Sequence, residues 1–278
     1  MPGDPYVLGS TDAEHGRLLR QAARLAPYTE RLFRDAGIAP GQRVLDIGSG
    51  VGDVAILAAR LVGPTGQVVG VDRDAIALGK ARMRAAAFGV TNIQFIEADV
   101  AQIPADLPFD AVVGRLILQF LPDPTAVLRT LLGLVRPGGI IAFHEANWAS
   151  FLTQAAHLPL RTACGQLIIE TFRRSGARTD MELTLFRAFQ DLKLPAPELR
   201  LETPIGNDAE TRRWIYDLVC TVYPRFASLG ISPDSLGDPT TLFSRLEAEL
   251  DATRSYAACI GLVGAWSRKP TTPVNDSL

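Results

Sequence analysis

The stretch Arg43-Val-Leu-Asp-Ile-Gly-Ser-Gly-Val-Gly-Asp53 constrains the fold of this chain more than any other. Val44 to Ile47 is a short apolar run carrying one acid, Asp46, and glycines follow at 48, 50 and 52. An amphipathic helical pattern begins directly after them. Strand, tight glycine turn and helix together bring backbone N–H groups and a helix N-terminus up to a nucleotide-like ligand.

The same alternation continues on both sides of the turn. Thr11 to Ala36 reads as helix, with Thr11 and Glu14 at capping-box spacing and Pro27 expected to divide it in two. Strands are expected at Val44–Ile47, Gln67–Val71, Ile93–Ile96, Asp110–Val113 and Ile140–His144. Helices fill Asp53–Val62, Asp74–Phe88 and, after Asp123-Pro124, the stretch to Val135. Arg136-Pro-Gly-Gly139 reads as a turn. Continuous apolar strands separated by helices indicate a doubly wound α/β fold, a parallel sheet covered on both faces. Right-handed crossovers then place the carboxyl ends of these strands on one edge.

Beyond Glu145 the rhythm changes. Helical segments at about 147–176 and 207–250 read as insertions, separated by a helix over Asp180–Leu192 and a strand over Glu198–Ile205. Ala257–Trp266 is a final apolar strand, and the tail from Lys269 reads as disordered. The domain expectation is an N-terminal helical cover, 1–37, followed by one α/β domain, 38–278, with two insertions. These form a lid over a discrete small molecule or mediate a homodimer; both uses remain open.

Composition narrows the partners. Net charge is −2, so nothing argues for an electrostatic nucleic-acid partner, which would normally show a basic stripe. The cysteines Cys164, Cys220 and Cys259 form no CxxC pair, which fits a reduced cytoplasmic protein and no metal. No apolar run approaches the roughly 20 residues needed to cross a bilayer, and the first residues have no signal-peptide core.

Three acids follow three strands. Asp46 is buried in an apolar strand and must meet a backbone N–H or a polar ligand group. Asp72 lies about 20 residues beyond the glycine turn, where an acid accepts from both ribose hydroxyls of an adenosine; Asp74 serves better as the cap of the following helix. Asp99, with the Val100 N–H, is placed to meet an adenine edge. The glycines run G-x-G-x-G, and Asp53 stands where the dinucleotide fingerprint needs a small residue. A pyrophosphate would face Asp46 and Asp53, whereas the sulfonium and ammonium of S-adenosylmethionine would be favoured.

Val-Leu-Asp-Ile-Gly-Ser-Gly-Val-Gly52, Val-Asp72, Glu97-Ala-Asp99, Phe-Asp110-Ala-Val-Val and Arg-Pro-Gly-Gly139 together resemble the class I S-adenosylmethionine-dependent methyltransferases, over about residues 40 to 145. The nearest flavour is the ubiquinone/menaquinone-biosynthesis type of small-molecule methyltransferase. The resemblance implies a Rossmann-like seven-stranded sheet, mostly parallel with the last strand antiparallel. It also implies S-adenosyl-L-methionine as cofactor and a small-molecule acceptor methylated at oxygen, nitrogen or carbon. By position, Gly48, Ser49 and Gly50 would lie against the methionine moiety, with Asp46 near its amino group. Asp72 would hold the ribose, Arg73 would flank the adenine, and Asp99 and Val100 would bind it. Arg115 and Leu116 would border the methionine part and the transfer site, and Tyr6 and Gln21 would close over the cofactor. Gln119-Phe-Leu departs from relatives that carry histidine there.

A general base is needed only for a poorly acidic acceptor. Glu145 and His144 are the catalytic candidates, and strand alternation lets only one of them face the site; His157, in the first insertion, is a third candidate base but reads more readily as a partly buried helix histidine. Trp148, Trp214, Tyr216 and Tyr223 are candidates for an apolar acceptor pocket or for core. The rival activities are an S-adenosylmethionine-binding cyclase or rearrangement enzyme, and an NAD-dependent oxidoreductase disfavoured by Asp53.

Overall fold

The computed structural model describes residues 12–100, 102–103 and 108–271, with side chains from residue 20 onward. Tyr6 and Thr11 lie outside the described residues. The elements in chain order are α1 (Asp12–Ala36), β1 (Arg43–Ile47), α2 (Asp53–Val62), β2 (Gln67–Asp72), α3 (Ala75–Ala87), β3 (Ile93–Glu97), β4 (Phe109–Arg115), α4 (Pro124–Leu134) and β5 (Val135–Asn147). After them come α5 (Trp148–Ala155), α6 (Pro159–Arg174), α7 (Met181–Asp191), β6 (Glu198–Glu202), β7 (Ile205–Gly206), α8 (Ala209–Val222), α9 (Leu242–Thr253), β8 (Ala257–Ala258) and β9 (Gly261–Arg268). Among the described residues, no helix is long and apolar enough to cross a membrane.

Seven strands form one sheet in the order β3-β2-β1-β4-β5-β9-β6, mostly parallel with the last strand antiparallel. The register sets Asp46 beside Gly70 of β2 and Val113 of β4, and Arg115 beside His144 of β5. Val44, Val68, Ala111, Ile140 and Ala142 cover one face of the sheet and pack on Leu32 and Phe33 of α1, Ala55 and Val62 of α2, and Leu78 of α3.

The chain divides into two compact units. Among the described residues, a sheet unit gathers Leu18–Glu145, Glu182–Arg200 and 264–271; a helical unit gathers the start of α1 (12–17), Ala146–Met181 and Leu201–Val263. Both expected insertions fall in the helical unit. There α6 packs on α5 and α8, and the Glu249 carboxylate accepts from the Leu160 and Arg161 amides at 2.6 and 3.2 Å.

Several boundaries differ from the expectation. Pro27 lies inside one continuous α1. Proline forfeits one helical hydrogen bond, but the buried stripe Ala22, Leu25, Thr29, Leu32, Phe33 and Ala36 runs past it on both sides and holds the helix together. The Arg136–Gly139 turn is absorbed into β5 as an irregularity, since Phe109 pairs with Val135 while Ala111 pairs with Ile140. The expected strand Glu198–Ile205 splits before Pro204, which has no N–H to give a ladder. The Pro204 carbonyl instead accepts from Cys259 at 2.9 Å, at the break that divides the expected last strand into β8 and β9. Lys269, expected in a disordered tail, is tied down: its N–H donates to Gly139 O at 2.8 Å and its Nζ to Leu132 O and Val135 O at 2.9 and 2.8 Å.

Candidate functional site

The glycine turn has a separate physical reason at each position. Gly48, Gly50 and Gly52 all have positive φ, at 63°, 49° and 85°, which side chains disfavour. A Cβ at Gly48 would lie 2.6 Å from Ile117 Cδ1, and one at Gly52 would lie 2.9 Å from Ala81 Cβ. A Cβ at Gly50 would meet nothing within 4 Å. Two glycines therefore admit neighbouring side chains, and the middle one opens onto free space. Helix α2 begins at Asp53 after Gly52, an N-cap that supplies no side-chain hydrogen bond.

Asp72 ends β2 and braces this turn. Its Oδ2 accepts from the Gly50 N–H at 2.7 Å and its Oδ1 from the Asp74 N–H at 2.9 Å. Asp74 caps α3 as expected, accepting from Ile76 and Ala77. Arg73 and Asp99 are exposed, and Val100 and Gln21 are half-buried.

Asp46 has the opposite situation. It is buried, and neither carboxylate oxygen has a hydrogen-bond partner. Burial drives its pKa well above the ordinary value; the Arg115 charge opposes this, Asp72 and Asp53 add to it, and the Ala55 amide pulls weakly down. Ser49 Oγ and Gln119 Oε1 are likewise buried without partners. These unmet atoms belong to β1 itself and to the segments that follow β1 and β4, adjacent strands of the sheet, and all of them can accept a hydrogen bond.

Asp53 is already compensated. Its Oδ1 pairs with Arg84 Nη1 at 2.6 Å and its Oδ2 lies 3.9 Å from Arg115 Nη2, while Arg84 also donates to the Val51 carbonyl. The expectation that Asp53 itself repels a pyrophosphate is corrected: two guanidinium groups offset its charge, and the electrostatic argument rests on Asp46 alone. Arg115 also donates from Nη1 to Thr29 Oγ1 at 3.2 Å. Leu116 follows with φ 55°, a left-handed conformation that ordinary residues rarely hold, and its N–H donates to His144 O at 2.9 Å.

At the end of β5 both candidate bases are buried. Glu145 Oε1 accepts from the Ile117 and Leu118 amides at 3.1 and 2.9 Å, and Oε2 from the Gln119 amide at 3.4 Å, so it anchors the 3₁₀ turn Leu118–Phe120. Burial pushes its pKa up to about 7 against the pull of the Leu118, Ile117 and Gln119 amides. His144 is held down to about 3 by burial and then by the Arg115 and Arg200 charges, which makes it neutral at physiological pH; its Nδ1 meets Thr29 Oγ1 at 3.1 Å. His157, expected partly buried in a helix, is exposed in the α5–α6 connection and bonds Ser255 Oγ at 2.6 Å.

The four candidate pocket aromatics do not form one group. Trp148 and Trp214 belong to a buried cluster with Phe151 and Phe172, ring centroids 5.6 to 6.1 Å apart. Tyr216 packs on Phe243 at 5.2 Å and Tyr223 on Phe226 at 5.2 Å.

A family model described as a methyltransferase domain matches residues 38–177, spanning β1 to α6 with every residue of the glycine turn. The chain belongs to the methyltransferase-domain family. Among relatives of this methyltransferase-domain protein, the ubiquinone/menaquinone biosynthesis C-methyltransferase UbiE of Pseudomonas putida is 42% identical over 112 residues, covering 40% of this chain and 44% of that protein. The chain thus spans less than half the length of that curated relative. Among solved structures, the YcgJ protein of Bacillus subtilis superposes with TM-score 0.55 at 16% identity, over 87% of this chain and 98% of that one. The [4+2]-cyclase SpnF superposes with TM-score 0.53 at 17% identity, over 89% and 82%. At such identities these two likenesses concern the fold.

Residues that the sequence did not single out are Thr29, Ile117 and Arg84. Their partners lie far away along the chain, and helical periodicity carries no trace of them. Gln119 was visible only as a departure from relatives.

Proposed function

We propose that this chain binds S-adenosyl-L-methionine at the glycine turn and transfers its methyl group to a small-molecule acceptor. The observation that carries this reading is Asp46, a buried carboxylate with no hydrogen-bond partner on either oxygen, two residues before a glycine turn whose middle glycine has free space at its Cβ position. A buried acid without a full set of hydrogen bonds is costly, and a ligand ammonium offsets that cost by supplying charge and donors together, beyond what Arg115 and the Ala55 amide give. In this reading Ser49 and Gly50 line the methionine part, Arg115 meets its carboxylate, and Asp72 accepts from the ribose hydroxyls. Asp99 and Val100 meet the adenine. Tyr6 and Gln21 remain proposed cover residues.

When bound, the cofactor supplies a methyl group already activated on a sulfonium. The chain has to orient the acceptor in line with that bond and to exclude water. Glu145 acts by holding the Leu118–Phe120 turn, with both oxygens engaged, and His144 by hydrogen bonding in its neutral form. An acceptor that needs deprotonation would then draw on another group or arrive ionised.

The test has two readouts. S-adenosylhomocysteine should raise the melting temperature and NAD should not. Incubation with S-adenosylmethionine and a panel of amine, phenol and activated-carbon acceptors should release S-adenosylhomocysteine. Protection by NAD alone would end the adenosylmethionine reading; binding followed by acceptor conversion without S-adenosylhomocysteine would favour a cyclase.

A further inference from the structure

We propose that Thr29 on α1 is a positioning residue: it aims the Arg115 guanidinium at the amino-acid end of the adenosyl ligand, with His144 fixing Thr29 in turn. The proposal rests on the methyltransferase reading above.

A threonine bonded to the carbonyl four residues back is ordinary in a helix. Thr29 does this, donating to Leu25 O at 3.2 Å. It is also fully buried and meets two partners from distant strands, Arg115 Nη1 at 3.2 Å and His144 Nδ1 at 3.1 Å. A hydroxyl has one proton and two lone pairs. With the proton given to Leu25, both lone pairs face the other two groups, so Arg115 and His144 must each donate. In that arrangement neutral His144 carries its proton on Nδ1; with Nδ1 bare the hydroxyl donates to it instead, and Arg115 donates to Thr29 in either case.

Arg115 gains a fixed direction from this arrangement. Its guanidinium is held on one side by Thr29 and on the other by Asp53 at 3.9 Å, and its charge bears on Asp46. A cation at Arg115 and an unpartnered anion at Asp46 complement the carboxylate and ammonium of one α-amino acid. Without Thr29 the guanidinium loses the hydrogen bond that orients it, while the adenosine contacts at Asp72 and Asp99 are untouched.

The probes are S-adenosylhomocysteine and 5′-methylthioadenosine, which keeps the adenosine and thioether but lacks the amino-acid end. Calorimetric titration of the wild type, Thr29→Val and Thr29→Ser compares them. Thr29→Val should weaken S-adenosylhomocysteine by about tenfold, as for the loss of a charge-assisted hydrogen bond, and change 5′-methylthioadenosine by less than about twofold. Thr29→Ser should restore S-adenosylhomocysteine to near the wild-type value. Equal weakening of both ligands, or of neither, would overturn the proposal, as would a failure of serine to rescue. A wild type that binds neither ligand would instead sink the adenosylmethionine reading beneath it.

Discussion

Two buried acids lie at the carboxyl edge of the same sheet, Asp46 on β1 and Glu145 on β5, separated only by β4. Glu145 has three backbone amides on its two oxygens; Asp46 has no partner on either. Both are pushed to raised pKa values by burial first of all. The contrast separates two uses of one residue class. A buried acid whose needs the chain meets is scaffold, and a buried acid left wanting is kept for something that arrives from outside.

Substitution separates the two acids most sharply. Glu145→Ala strands three amides at about 1–3 kcal/mol each, so chemical denaturation should show a loss of at least about 3 kcal/mol. A loss below about 1 kcal/mol would mean that the acid is not scaffold. The pH dependence comes next. Glu145 has a folded pKa near 7 against an ordinary 4.5. Its contribution is therefore complete below about pH 4.5 and is lost as pH rises through 7, at most about 3 kcal/mol over that window. Glu145→Gln should flatten that part of the stability profile, and an unchanged slope would reassign it.

Asp46→Asn should move two quantities in opposite directions. S-adenosylhomocysteine affinity should fall by about 10- to 100-fold, while the ligand-free protein gains about 1 kcal/mol from losing a desolvated charge. A variant that is less stable without ligand would place Asp46 with Glu145. Last, His157→Ala should change stability by under about 0.5 kcal/mol and leave ligand affinity alone, because that exposed ring serves neither unit's core. A large effect on turnover would restore it as a catalytic candidate.

Much of the sheet unit was legible in the sequence because its signals are local. The glycines, the Asp123-Pro124 cap and the apolar runs each report on their own neighbourhood, and they bounded β1 to β4 within two residues. What escaped depends on partners distant in sequence. Pro27 reads as a helix break until the buried stripe on either side is seen. Asp53 reads as a free acid until Arg84, on the next helix, folds back onto it. Strand alternation offered Glu145 and His144 as alternatives for one active-site position, and nothing in the local pattern marked that both turn to internal partners. In the helical unit the aromatics carry helical spacing alone, which does not separate the Trp148 cluster from the Tyr216 and Tyr223 pairs.

The bond from Gly50 N–H to Asp72 has a kinetic consequence. A carboxylate that already grips the loop leaves little backbone freedom to be quenched when a nucleoside arrives, so the entropic cost of association there is low. The turn is braced before the ligand arrives. Arrival of the adenosyl ligand should follow single-step kinetics with an on-rate linear in concentration, and no slow isomerisation of this loop should gate it.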